Sequence, residues 1–249
     1  MNQAQLYSLY ESDPAPVIAF LRYLALSCGL VEPLRVLDVG CGPGRLLAPL
    51  AGLGWTVTGI EPDPDYAEAA AHAAARIERA QVRRGGFADI GESSAYDLIA
   101  AVNGPYSYLT TFEARRDAVG RAARALRPGG VLFLHFSNFW WILRNYREPP
   151  GRTLDIDGVA VTRTARHEID FHAGRFTHID TFRWTDAGGA NHEVEKMHEM
   201  GMVAPPETER LMREAGLEDI RTFNAYEDRE PSRLSGKSVL IAARRLEAC

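Results

Sequence analysis

The fold of this chain is decided by one stretch near its start, Val36-Leu37-Asp38-Val39-Gly40-Cys41-Gly42-Pro43-Gly44-Arg45. Its apolar residues predict a short buried strand, while Gly40, Gly42 and Gly44 permit a tight bend and a close ligand approach that a side chain would block. A helix is expected over residues 45–53, with its first amide groups pointing into the bend. A strand, an acid and alternating glycines together indicate a backbone shaped to receive a nucleoside-type cofactor.

The spacing of the glycines argues against a dinucleotide as that cofactor. A dinucleotide fingerprint requires a third glycine three residues after the second, and the two possible frames place Arg45 and Leu47 there. The carboxylate of Asp38 would also lie close to a pyrophosphate and repel it, whereas it would attract an ammonium or sulfonium group. A zwitterionic ligand without phosphate is therefore favoured.

The same stretch resembles the first motif of the class I S-adenosylmethionine-dependent methyltransferases, which reads D-x-G-x-G-x-G. The later segments follow in the order that the resemblance implies: strand two over 56–62, a third-strand segment over 86–90, strand four over 96–102, and a helix end, a turn and strand five over 126–133. The resemblance is strong from about residue 30 to 140 and weaker elsewhere. It implies an α/β fold with a doubly wound, mostly parallel, seven-stranded Rossmann-like sheet, and S-adenosyl-L-methionine as the cofactor.

The resemblance also implies roles for individual residues. The Glu61 carboxylate would accept both ribose hydroxyls, and Asp89 would accept from the adenine amino group. An N-terminal tyrosine would close over the cofactor, although tyrosines on a short amphipathic helix equally often serve packing. The residues assigned to the cofactor in this way are Tyr10, Asp38, Gly40, Cys41, Gly42, Gly44, Glu61, Pro62, Asp89, Ile90 and Asn103.

The composition of the chain predicts its domain organisation and the kinds of partner it can have. The 249 residues, 46% of them hydrophobic, predict one domain over 1–249. A net charge of -5 disfavours a nucleic-acid partner, because phosphate contacts need clustered Lys and Arg. The three scattered cysteines lack metal-ligand spacing, so neither a disulfide framework nor a metal site is expected. The lack of a leader and of a long apolar segment predicts a cytoplasmic protein without a membrane partner.

Residues 150 to 203 break the alternation of strands and helices. Three extended stretches, 159–171, 175–185 and 192–200, are joined by turn-prone residues and predict an inserted antiparallel sheet after strand five. We expect this insert to be a lid that encloses a small substrate over the cofactor cleft, or else a contact in a homodimer.

The methyl acceptor is expected to meet the cofactor at 103–109, which begins where strand four ends. This segment is similar to the corresponding one in the sugar-amine N,N-dimethyltransferases. Tyr106 and Tyr108 would border the methyl group or donate hydrogen bonds to the acceptor, or would simply pack.

A hydroxyl acceptor generally needs a base within hydrogen-bond reach, whereas an unprotonated amine needs little help. His135 and His167 are the principal candidates, with His198 and Glu199 behind them. A histidine on a strand is also commonly structural. The catalytic candidates are therefore His135, His167 and Tyr108.

These observations predict methyl transfer, by in-line displacement, to a nitrogen or oxygen of a small-molecule metabolite. Three alternatives remain open. An RNA methyltransferase would need a basic face, a nicotinamide-dependent oxidoreductase would need pyrophosphate in the glycine bend, and a non-catalytic domain would bind the nucleoside cofactor without turnover.

Overall fold

The computed structural model describes residues 13–147, 150–156 and 158–246. The helices in chain order are α1 (Ala15–Ser27), α2 (Leu47–Gly52), α3 (Pro64–Ala74), α4 (Phe112–Ala125), α5 (Phe139–Arg144) and α6 (Pro205–Glu214). The strands are β1 (Arg35–Val39), β2 (Thr56–Glu61), β3 (Ala80–Arg84), β4 (Tyr96–Ala101), β5 (Leu126–Ser137), β6 (Arg152–Ile156), β7 (Val159–Asp170), β8 (Arg175–Thr185), β9 (Asn191–Gly201), β10 (Leu217–Phe223) and β11 (Ser238–Arg245). Two 3₁₀ turns, Phe87–Asp89 and Pro105–Tyr108, follow β3 and β4.

The central sheet, here called sheet A, has the strand order β10-β11-β5-β4-β1-β2-β3. Strands β5, β4, β1, β2 and β3 pair in parallel, and β11 runs antiparallel to both β5 and β10. The strand order reverses between β1 and β4, which is where such sheets open a crevice at their carboxyl edge. The predicted doubly wound, mostly parallel, seven-stranded sheet is thus confirmed.

Helices cover both faces of sheet A, which explains why β1 is an almost continuous apolar run. Val36 belongs to a core cluster with Phe20 and Leu24 of α1. Leu37 and Val39 belong to the opposite cluster, which includes residues of α4 and α6. Successive side chains of β1 therefore serve opposite layers, and its carboxyl end is left to approach a ligand.

The insert forms a second sheet, sheet B, with the order β6-β7-β8-β9 and antiparallel pairing throughout. Three of its strands are predicted by the sequence. The short strand β6 is not, because its single buried residue, Ile156, gives no alternating pattern. Ile156 packs with Val161 and Phe182 in a small core of sheet B. The predicted inserted antiparallel sheet is confirmed, with one strand more than expected.

The segment after β3 differs from the prediction. Residues 86–90 do not form the third strand, since β3 ends at Arg84 and a 3₁₀ turn follows. Asp89 Oδ2 accepts the N–H of Gly86 at 2.8 Å, which turns the chain away from the sheet. The acid of this segment consequently lies beyond the strand rather than on it.

The helix after the glycine bend is also shorter than predicted. It begins at Leu47, because Gly44 has a φ of +94°, and the turn that includes this left-handed residue delays helical geometry.

The apolar residues after β5 form helix α5, whose first turn is capped by Asn138 Oδ1 accepting the N–H of Trp141 at 3.3 Å. Among the described residues, no helix is long and apolar enough to span a membrane.

Candidate active site

Two loops meet at the carboxyl edge of sheet A. The bend after β1 starts at Gly40, whose φ is +70° and whose N–H donates to Ile60 O at 2.8 Å. A Cβ on Gly40 would lie 2.5 Å from Pro105 Cγ in the loop after β4. Glycine is therefore required here both by the backbone angle and by the contact between the loops. This contact fixes the crevice where the strand order reverses.

Glu61 ends β2 and holds the glycine bend. Its Oε2 accepts the N–H of Gly42 at 2.9 Å, and its Oε1 accepts the N–H of Asp63 at 2.9 Å. Burial raises the pKa of Glu61, whereas the two N–H donors lower it. Each carboxylate oxygen accepts one N–H and has a further lone pair. The bonding of Glu61 to ribose hydroxyls remains a prediction. Its structural role in holding the bend is one that the sequence does not reveal.

Asp38 lies beneath the bend with only 2% of its surface exposed. Its Oδ2 is buried and has no hydrogen-bond partner among the described residues. Burial raises the pKa of Asp38 to about 7, Arg45 opposes this rise, and Glu61 adds to it. A buried carboxylate without a partner is costly when charged, so this position favours a cationic ligand group.

The predicted adenine residues follow the carboxyl end of β3. Asp89 is exposed, with Oδ2 bonded to the Gly86 N–H as described above. Ile90 is buried and belongs to the core cluster on the α4 side of sheet A. Their contact with an adenine ring remains a prediction.

The remaining predicted cofactor residues have varied surroundings. Cys41 is buried, and its Sγ would lie 2.8 Å from a Cβ on Gly59, so it fills the space above β2. Pro62 is exposed, and Asn103 is exposed with a left-handed φ of +65° at the end of β4. Tyr10 lies outside the described residues.

His135, on β5, accepts hydrogen bonds with one ring nitrogen. The backbone N–H of Asn103 donates to His135 Nδ1 at 3.2 Å, and the Tyr226 hydroxyl lies 2.6 Å from the same atom. An N–H can only donate, so Nδ1 is unprotonated, Tyr226 donates to it, and the neutral ring carries its proton on Nε2. Burial, with a smaller contribution from the charge on Arg45, lowers the pKa of His135 to about 4. A base role for His135 is not favoured by this arrangement.

The face of sheet B that includes the buried Asp180 is here called its inner face, and it carries the candidates His167 and His198. His167, His178 and His198 are directly opposite one another on β7, β8 and β9. The Tyr108 hydroxyl bonds His198 Nδ1 at 2.9 Å. The structure therefore brings Tyr108 to this row of histidines, whereas His135 bonds the separate Asn103 and Tyr226 groups.

A lysine also joins sheet B to the crevice. Lys196 Nζ lies 3.5 Å from the hydroxyl of Tyr66 on α3 and 5.8 Å from the centre of its ring. Helix α3 begins shortly after Glu61. The inner face of sheet B thus contacts the segments that follow both β2 and β4.

Several residues of this arrangement are not predicted by the sequence. Tyr226 carries no local motif, because its partner His135 lies 91 positions away. Residues 178 and 180 do leave a signal, since a histidine and an aspartate two apart on a strand share one face. The described residues contain no group of three or more His, Cys, Asp or Glu side chains that could hold a metal ion.

Comparison with known proteins agrees with this geometry. Residues 36–130 match the family described as methyltransferase domain. The ubiquinone biosynthesis O-methyltransferase of Rhizobium leguminosarum bv. trifolii is 28% identical over 196 residues, which cover 76% of this chain and 60% of that protein. The chain therefore spans less than two thirds of the length of this relative.

Solved structures share the fold over nearly the whole chain. An S-adenosylmethionine-dependent methyltransferase from Clostridium acetobutylicum has a TM-score of 0.77 and 13% identity, and the match covers 98% of both chains. The amino pentose methyltransferase CalS10 of Micromonospora echinaspora, solved with S-adenosylmethionine bound, has a TM-score of 0.75 and 21% identity over 96% of this chain and 94% of that one.

These findings define the fold class of the protein. The chain has the fold of the S-adenosylmethionine-dependent methyltransferases. The match of residues 36–130 to the methyltransferase domain family agrees with this fold.

Proposed function

We propose that this chain transfers the methyl group of S-adenosylmethionine to a nitrogen or oxygen of a small molecule. The observation that carries the proposal is Asp38, a buried carboxylate whose Oδ2 has no partner among the described residues, beneath a glycine bend at the reversal point of sheet A. An ammonium group satisfies such a carboxylate, whereas a phosphate would add a second negative charge.

The residues around the crevice fit the parts of this cofactor. Asp38 would hold the amino group, Glu61 would accept from the ribose hydroxyls, and Asp89 would accept from the adenine. When bound, the cofactor supplies a methyl group on a positively charged sulfur. The contact of Gly40 with Pro105 keeps the loops after β1 and β4 at a fixed separation, which orients a bound ligand toward the segment 103–109.

The position of sheet B favours a small molecule as the methyl acceptor. Its inner face contacts Tyr66, after β2, and Tyr108, after β4, and a sheet held at these two segments would enclose a compact molecule and exclude water from it. The net charge of -5 disfavours RNA as the acceptor. Both acceptor atoms have support: CalS10, an amino pentose methyltransferase, shares the fold over 96% of this chain, and the Rhizobium relative is an O-methyltransferase.

The proposal is tested with isotopically labelled cofactor. We expect calorimetry to show binding of S-adenosylmethionine, and metabolite extracts or a panel of amino sugars and phenols to take up the label. Gly42→Val is the control variant, because a branched side chain at a φ of +55° distorts the bend. Binding without transfer to any acceptor would contradict the proposed activity, and tighter binding of a nicotinamide dinucleotide would contradict the proposed cofactor.

A further inference from the structure

Three polar groups on the inner face of sheet B form a continuous chain with Tyr146, which follows helix α5. The Tyr146 hydroxyl lies 3.0 Å from His167 Nδ1, and His167 Nε2 lies 2.7 Å from His178 Nδ1. His178 Nε2 then lies 3.0 Å from Asp180 Oδ2. Asp180 is fully buried, so the chain runs from a half-exposed tyrosine to a carboxylate in the interior of the protein.

The charge at the buried end decides which nitrogens carry protons. Asp180 Oδ1 accepts from Arg163 Nε at 2.8 Å, which keeps the carboxylate ionised and able only to accept. His178 Nε2 lies 3.0 Å from Asp180 Oδ2, and a proton on this nitrogen lets it donate to the carboxylate while Nδ1 accepts. Arg163 Nη2 also lies 3.3 Å from His178 Nε2 and would need that nitrogen unprotonated, so the nearer carboxylate is the contact that assigns the proton to Nε2.

The protonation of His178 fixes that of His167. Since His178 Nδ1 accepts, His167 must donate from Nε2, and its own Nδ1 is the accepting nitrogen. The Tyr146 hydroxyl donates to this Nδ1. Each of the three contacts from Tyr146 to Asp180 then has one donor and one acceptor, which is the arrangement of a base oriented by a second histidine and a buried carboxylate.

We propose, resting on the methyl transfer proposed above, that His178 and Asp180 are positioning residues that hold His167 as the base of the acceptor site, with Nδ1 as its accepting nitrogen. The acceptor hydroxyl or amine takes the place of the half-exposed Tyr146 hydroxyl at this atom. This assignment separates His167 from His135, whose Nδ1 accepts from Asn103 and Tyr226.

The proton and electron pairs balance in this step. The acceptor O–H or N–H gives its proton to His167 Nδ1, and the electron pair on the acceptor atom forms the bond to the methyl carbon. The electron pair of the broken carbon–sulfur bond stays on sulfur. His167 becomes a cation whose Nε2–H points to His178, and the Asp180 carboxylate stabilises the positive charge through His178.

Other charged groups face this row from the neighbouring elements. Lys196 and His198 lie on β9, and burial lowers the pKa of His198. The pH dependence of the row therefore includes contributions from its described neighbours Tyr108, Tyr146, Arg163, Asp180, Lys196 and His198.

The test replaces Asp180 by asparagine. In Asp180→Asn the side-chain oxygen is expected to accept from Arg163 and its NH₂ to donate to His178 Nε2, which moves the His178 proton to Nδ1 and, in turn, the His167 proton to Nδ1. We expect kcat to fall about 10²-fold or more, with unchanged affinity for S-adenosylmethionine. Glu193→Gln, a carboxylate-to-amide change at the exposed pair with Arg183 on the outer face, is the matched control.

Two readouts distinguish this role from a merely structural one. ¹⁵N NMR of histidine-labelled protein, assigned with His167→Asn and His178→Asn, should show both rings protonated on Nε2 in the wild type and on Nδ1 in Asp180→Asn. The acidic limb of the kcat profile against pH should disappear in His167→Asn. Wild-type rings protonated on Nδ1, or an Asp180→Asn enzyme with normal kcat, would overturn the proposal.

The two proposals fail in different ways. The wild-type NMR spectrum tests the row even where Asp180→Asn does not fold. A wild-type protein that binds S-adenosylmethionine and methylates nothing overturns the proposed function. An active wild type with the opposite tautomers overturns only the role of His178 and Asp180.

Discussion

The carboxylate of Glu61 holds the backbone of Gly42, with Oε2 accepting its N–H at 2.9 Å. Glu61 therefore shapes the bend that it is also predicted to share with the cofactor ribose. We expect Glu61→Ala to lose on the order of 2–3 kcal/mol of cofactor binding, roughly thirty- to hundredfold, measured by calorimetry. Glu68→Ala, an exposed acid on α3, should bind normally. Unchanged affinity in Glu61→Ala would remove Glu61 from the site.

The contact between Gly40 and Pro105 predicts a second, structural effect. In Gly40→Ala the new Cβ would lie 2.5 Å from Pro105 Cγ, so the loops must move apart. Gly54→Ala is the matched control, because Gly54 has a similar φ of +82° and open space around its Cβ position. We expect both variants to lose about 1 kcal/mol from the left-handed backbone angle, and Gly40→Ala to lose about 1–3 kcal/mol more in urea unfolding. Equal losses would show that the contact relaxes freely.

Burial of Asp38 predicts a pH dependence of cofactor binding. The pKa of Asp38 is raised to about 7 in the folded protein, so the carboxylate is mostly protonated at pH 6 and mostly ionised at pH 8. A ligand ammonium requires the ionised form. Affinity should therefore rise about tenfold from pH 6 to pH 8, with proton release on binding below pH 7. Asp38→Asn should bind weakly at both pH values, and a pH-independent affinity in the wild type would contradict a cationic partner for Asp38.

The half-buried imidazole of His135 predicts a pH dependence of stability. Its pKa of about 4 in the folded protein lies below the ordinary value of 6.5, so the unfolded chain binds more protons between these values. Stability should consequently fall as the pH decreases from 6.5 to 4, by at most about 3 kcal/mol from this group. In His135→Phe, urea unfolding at pH 7 and pH 4.5 should show a smaller difference than in the wild type. An equal difference in the variant and the wild type would show that another group causes the loss of stability at low pH.

The strand β1 and the glycine bend can be predicted from the sequence because both depend on residues close together in the chain. Val36 to Gly44 contain both the buried strand and the bend. The partners of the site residues depend on pairings between distant segments. His167 faces His178 only through the register of β7 and β8, and Tyr226 reaches His135 across 91 positions. A histidine in the sequence thus indicates a candidate base. Which of its ring nitrogens forms a hydrogen bond, and with which partner, depends on how the strands pair in the folded protein.

Neighbouring residues on β9 separate the two expected roles of sheet B. Lys196 points inward to Tyr66 and is 9% exposed, whereas Met197 lies on the opposite face and is 67% exposed. If sheet B is a lid, Lys196→Met should lower kcat/KM for the acceptor roughly 5- to 30-fold through loss of this contact, and Met197→Arg should have normal activity. If the outer face forms a dimer, Met197→Arg should instead yield monomers in analytical ultracentrifugation. Normal turnover in Lys196→Met together with dissociation of Met197→Arg would contradict the lid and support the interface.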